Sequence, residues 1–285
     1  MWRGLRRCFS VVKGEETSFN ELLGKELGQG VEEYSKALEF VKENQYFSAE
    51  TEFRKCLEIL ESNKLYGEPS YNFILLRLAL MLRAQNKLTQ TEKIMEEIVS
   101  NYKAREKQYP EQLCSSYENL LKQYLVTSVD KAIMLGHFLM REENWKILQR
   151  HTQKDVKFLL GTAYALRGDT LSEAKEYFTE CLKMNPGPNT CFVLHNLACT
   201  QWWHVLKYKN SDPNALGEET EEFRQATVDF SEAIPNLQKA IQLFEDKNEL
   251  YTPNLGNLDL KNKLSGLSIT NIAEIHFQSA NLEVS

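Results

Sequence analysis

The sequence predicts an all-α chain, a right-handed solenoid built from helical hairpins. Three observations predict it. Apolar residues recur at helical spacing from about Val31 to Leu282, with no useful stretch of β-alternation. Glycine is sparse, and Pro69, Pro110, Pro186 and Pro253 punctuate the helical runs. Small or short residues also repeat at a long period: Ala49, Thr91, Ala132 and Ala174 are spaced 42, 41 and 42 residues apart.

Composition narrows the function classes. The chain has 285 residues, 42% hydrophobic and 26% charged, which is the composition of a folded protein with a sizeable core. Its net charge is -6, so no basic stripe is available for phosphates and nucleic acid is not expected as a partner. The richest apolar run, "FILLRLALML", is short and carries Arg77, so no membrane span is expected. Six scattered cysteines read as reduced thiols.

Residues 1–14 form the first element, and they read as an address. Arg3, Arg6, Arg7 and Lys13 occur there with no acid before Glu15, while Trp2, Leu5 and Phe9 can share one helix face. A basic, acid-free amphipathic start is the composition of a mitochondrial targeting segment. Arg7-Cys8-Phe9-Ser10 resembles the Arg-x-Phe/Tyr-Ser processing pattern. Cleavage after Phe9 removes three arginines and takes the net charge to about -9. Residues 15–30 read as a linker, and 31–285 as the repeat domain.

The clearest hairpin is "LLGTAYALRGDTLSEAKEYFTECLKMNPGP". Gly161 and Ala174 are small where two helices cross, Tyr164 and Phe178 fill the space between them, Gly168 makes the turn, and Pro186 stops the second helix. One residue more than usual separates Gly168 from Ala174, so this turn is expected to be long. The spacing Leu160-Gly161-x2-Tyr164-x3-Gly168, then Ala174-x3-Phe178 and Pro186, resembles the tetratricopeptide (TPR) repeat.

Weaker copies flank it in order. Unit one has Ala37, Phe40 and Asn44, then Ala49-x3-Phe53-x2-Cys56. Unit two has Leu78-Ala79 and Asn86, then Met95, Ile98 and Val99. Unit three has Leu120-Leu121 and Tyr124, then a degenerate second helix around Ala132, Leu139 and Met140. Unit five has Leu197-Ala198, then Ala233, Leu237 and Ala240. A last first-helix, Ile272-Ala273-x2-His276, follows. The array is thus five hairpins plus a terminal helix.

An insertion at about 208–230 interrupts unit five. Its "GEETEEFRQ" reads either as an acidic docking loop or as an N-terminal extension of the next helix. Pro235 is expected to start or kink a helix.

The longer period resembles that of kinesin-light-chain-like TPR repeats. That resemblance implies an asparagine ladder gripping an extended peptide along the concave face. Asn119, Asn196 and Asn271 each precede the helix-A pair of their unit and match it, because an amide can donate and accept at once. The alternative is hydrogen bonding within the scaffold. Units two and four depart from the ladder, with Arg77 and Leu159 at that place. Trp202, Trp203 and His204 are the other candidate partner-binding residues; adjacent tryptophans on a helix cannot both face one packing layer. Tyr34, Leu38, Phe73 and Leu76 give the first two units an apolar groove.

No catalytic, cofactor or metal site is expected. Cys191, His195 and Cys199 share one helix face, but eight residues of helix separate the two sulfurs by about 12 Å, too far for one zinc ion. No third group orients a Cys/His pair, and "GKELGQG" lacks the spacing of a phosphate loop. The functional expectation is therefore a non-enzymatic mitochondrial scaffold or adaptor for a protein partner. The targeting segment and the repeat period together resemble mitochondrial TPR assembly factors, which implies assembly or maintenance of a respiratory-chain complex, with peripheral association at the membrane. The alternatives are a cytosolic cargo or signalling adaptor, and an enzyme whose site follows no recognised pattern.

Overall fold

The structure of the protein is a computed structural model that describes residues 31–146, 148, 150–184, 190–211, 221–245 and 272. The targeting stretch and the linker lie outside these residues. All elements among the described residues are helices: α1 (Val31–Lys42), α2 (Tyr46–Ser62), α3 (Pro69–Ala84), α4 (Leu88–Lys103), α5 (Pro110–Thr127), α6 (Val129–Leu139), α7 (Glu142–Trp145), α8 (Arg150–Arg167), α9 (Leu171–Lys183), α10 (Thr190–Ser211) and α11 (Glu221–Glu245). Pro69 and Pro110 take the first helical positions of α3 and α5, where a missing N–H costs nothing.

The chain divides into two compact units at Val156 and Lys157, and α8 begins in one and ends in the other. In the first unit, α1 to α6 pack each on the next in chain order. In the second, α9 packs on α10 and α10 on α11. Stacking of neighbours in sequence is the arrangement of an α-solenoid.

The long period has a direct physical basis. Ala49, Thr91, Ala132, Ala174 and Ala233 are all 0% exposed, so they form one buried register at the heart of five hairpins. In the first four, the second helix starts three residues before this anchor. Thr91 fits the alanine slot because its Oγ1 donates to the Lys87 and Ala79 carbonyls, at 3.0 and 3.4 Å.

The turns repeat as well. Asn44, Asn86 and Gly168 adopt left-handed backbone at φ 59°, 63° and 78°, each seven residues after the small helix-A residue Ala37, Ala79 or Gly161. At the first two the N–H of the left-handed residue reaches back to Val41 or Arg83, and the next N–H to Phe40 or Leu82. These paired bonds close the helix end and turn the chain back. Two positions separate Asn44 and Asn86 from the next helix start, and three separate Gly168, so the fourth turn is the longer one. Arg167 braces it by donating to Asp169 at 2.9 Å and to Thr170 at 3.3 Å. Unit three has Ser128 at the same position, extended at φ -159°, and only this residue separates α5 from α6. Its second helix is short, and Met140 lies just beyond it.

The insertion of unit five is partly helix: α11 begins at Glu221 and runs 25 residues. Pro235 does not start that helix but lies inside it, where it has no N–H to offer the Ser231 carbonyl. Of the terminal helix, Ile272 is helical and packs on the cluster formed by Trp202, Ala233 and Leu237.

Tyr34 needs correction. It is 1% exposed, with its ring 6.1 Å from Phe53 and 6.3 Å from Phe73, so it belongs to the core and not to a groove. Leu38, Phe73 and Leu76 are half-buried against the same core.

Candidate functional site

Asn119 lies on α5, half-buried, directly before the buried pair Leu120 and Leu121. Asn196 lies on α10, also half-buried, and its Nδ2 donates to Thr162 Oγ1 on α8 at 3.4 Å. That amide therefore ties the first helices of units four and five together, leaving its Oδ1 for another donor. Asn271 lies outside the described residues.

The adjacent tryptophans separate as their spacing requires. Trp202 is 6% exposed and packs with Ala198, Ala233 and Leu237 between α10 and α11. It is a packing residue and leaves the set of candidate surface contacts. Trp203, 49% exposed, turns to the outside of the same helix.

His204 takes part in a polar junction that sequence reading did not find. Its Nδ1 stands 2.6 Å from Oδ2 of Asp229 on α11. Asp229 is buried and also accepts from Lys175 Nζ on α9, at 2.9 and 2.6 Å, and from Gln225 Nε2 at 3.2 Å. Burial works against the Asp229 carboxylate, but hydrogen bonds from His204, Lys175 and Gln225 outweigh it and hold its pKa below the usual range. One carboxylate thus joins three helices.

Two amides, Gln201 buried and Asn236 half-buried, continue this seam. Gln201 Nε2 donates to Glu232 at 2.7 Å, and Asn236 Nδ2 donates to Gln201 Oε1 at 3.0 Å. Above the junction is a polar cleft of about 480 Å³, lined by Ser172, Lys175, Glu176, Thr179, His204 and Gln225 among others. Ser172 gives its hydroxyl to Glu173 at 2.7 Å, and Lys175 holds the carboxylate that His204 faces. The arrangement brackets helices.

The Cys/His face of α10 behaves as helix packing. His195 is 5% exposed with Nε2 3.6 Å from Cys199 Sγ, and burial pushes its pKa down to about 4. Cys191 joins Leu194 and Ala240 in the core. Among the described residues, no group of three His, Cys, Asp or Glu side chains could hold a metal ion. Cys56 and Cys181 fill small-residue slots at 2% and 0% exposure, and burial pushes the Cys56 thiol up to about 12. None of the five described cysteines is part of a disulfide.

No family model and no curated protein matches the chain. Solved structures do. A crystal structure of Podosopora anserina kinesin light chain nearly identical TPR-like repeats aligns at 15% identity with a TM-score of 0.51, over 70% of this chain and 93% of that one. A single-residue variant of the same protein gives 16% identity and a TM-score of 0.52 over the same shares. The fold is that of TPR-like repeats. At this identity the likeness concerns the fold alone. Among the described residues, no helix is long and apolar enough to cross a membrane.

Proposed function

We propose that this protein is a non-catalytic scaffold of mitochondria, with a protein partner held on the first helices of its TPR-like hairpins. The observation that carries the reading is the pairing of two features: a TPR-like repeat fold, of a class that offers extended surfaces to partners, and an acid-free basic stretch over residues 1–14. The finer reading is assistance in assembling or maintaining a respiratory-chain complex, by peripheral association. Asn119, Asn196 and Asn271, with Trp203 and His204, are the residues assigned to contact.

The test has two arms. N-terminal sequencing of the native protein is expected to find a mature chain starting near Ser10, inside mitochondria. A chain that still starts at Met1 in the cytosol overturns the localisation and leaves a cytosolic adaptor. Proximity labelling in mitochondria is then compared for the native chain and the variant with all three asparagines changed to alanine. Labelling of respiratory-chain subunits that is lost in a variant of unchanged melting temperature supports the reading. Equal labelling by both removes the asparagines from the contact surface.

A further inference from the structure

The buried anchors give every hairpin a common ruler, and one contact recurs on it. In unit one the residue after the anchor is Glu50, and it meets Lys87, four residues before the next anchor, at 2.8 Å. In unit four the residue after the anchor is Lys175. It meets Asp229, four residues before the anchor Ala233, at 2.6 Å. The register is the same and the charges are exchanged. In unit two the residue after the anchor is Glu92, which again takes a lysine of the next hairpin, Lys131, at 2.5 Å. The partner there sits one residue before its anchor, as the shortened turn at Ser128 brings that helix in differently.

Each of these contacts has the geometry of a placed interaction. Glu50 also accepts from Gln85 at 2.9 Å and Arg54 at 2.9 Å, while Gln85 reaches the Tyr46 carbonyl at 3.1 Å. The turn of hairpin two is thereby fastened to the start of α2. At the second site the Asp229 side chain is 2% exposed and Lys175 16%. A buried carboxylate without its cation is costly, so the site tolerates only a complementary neighbour.

We infer that the charged residue after the helix-B anchor in units one, two and four is a stacking determinant, and that the opposite polarity of the Glu50–Lys87 and Lys175–Asp229 latches fixes the register in which each of these hairpins accepts its neighbour. A hairpin that presents Glu50 accepts a cation at the facing position. One that presents Lys175 accepts an acid there, and each rejects the other's neighbour by placing like charges together. The register in which neighbouring hairpins stack is then written in charge as well as in apolar shape.

Charge exchange in the full-length chain tests this. His204→Gln is the background, so that a neutral donor and acceptor replaces the imidazole beside position 229. In that background Lys175→Glu alone and Asp229→Lys alone are each expected to raise the unfolded-to-folded ratio by roughly 100- to 1000-fold in urea titrations. The double exchange is expected to recover at least half of the lost urea midpoint, because the Glu50–Lys87 site shows that the register accepts either polarity. A double variant that falls by the sum of the two single losses overturns the inference, and so do single variants whose midpoints do not move. If a reversed chain does not fold, Lys175→Met and Asp229→Asn take their place in a double-mutant cycle. Coupling of at least about tenfold is then expected, and coupling below about twofold overturns the inference.

Discussion

A Cβ placed on Gly161 would stand 2.9 Å from Cε1 of the Phe178 ring and 3.2 Å from the Tyr177 Cβ. The two helices of hairpin four meet at this point. Phe178 is fully buried, and the Tyr164 and Tyr177 rings stack beside it with centroids 5.7 Å apart. Neither neighbour has room to retreat. Gly161→Leu is therefore expected to overpack the crossing and to cost about 1–3 kcal/mol, read as a fall in the urea midpoint. An unchanged midpoint would mean that the helices do not approach this closely.

The left-handed turn residues make a second prediction. Asn44 and Asn86 adopt a conformation that glycine reaches freely, asparagine reaches readily and branched residues resist. Asn86→Gly is expected to leave stability within about 0.5 kcal/mol, while Asn86→Val costs about 1–2 kcal/mol. Thermal melts of the two variants are sufficient to read the difference. Ser128 is extended and caps α6 by accepting from the Lys131 N–H, so valine there carries no left-handed penalty but loses the cap, which glycine replaces better.

Most of the fold was legible in the sequence because it rests on local rules. Small residues mark helix crossings, and the buried anchors confirm the 41–42-residue register. Asn44 and Asn86 could be aligned with Gly168 by counting alone. The junction at Asp229 was not legible. Lys175, His204 and Asp229 come from three helices separated by up to 54 positions, and nothing in a charged residue's own neighbourhood says whether it is buried. The available signal was the ruler itself, since Asp229 and Lys87 both sit four residues before an anchor. Tyr34 was misread for a related reason: its tilted packing on Phe53 and Phe73 depends on three helices meeting, which helical spacing on α1 does not report.

Buried His195 gives a pH dependence of definite sign. Burial lowers its pKa to about 4 in the folded chain, below the ordinary value of 6.5. Between these values the unfolded chain binds a proton that the folded chain refuses. Stability from this group is therefore fully present above pH about 6.5 and is lost as pH falls toward 4, by about 3 kcal/mol in all. Carboxylates titrate in the lower part of the same window, so the quantity to measure is the difference between the native chain and His195→Gln. Urea midpoints of the native chain are expected to fall more steeply on acidification. Parallel curves would place His195 in contact with water.

The adjacent tryptophans supply the sharpest separation of scaffold from surface. They share one turn of α10, yet Trp202 is held between Ala198, Ala233 and Leu237 while Trp203 is 49% exposed. Removing Trp202 leaves a cavity where α10, α11 and Ile272 converge, and Trp202→Ala is expected to cost about 3–5 kcal/mol. Trp203→Ala removes no core contact and is expected to change stability by less than about 0.5 kcal/mol. A large exposed aromatic is instead a candidate anchor for a partner, and anchors of this type carry about 2 kcal/mol or more of binding. Trp203→Ala is thus expected to weaken partner capture at least about 30-fold while the melting temperature holds. Loss of folding in Trp203→Ala would show that both tryptophans belong to the core. Unaltered folding with unaltered capture would leave the asparagine positions to carry the contact without it.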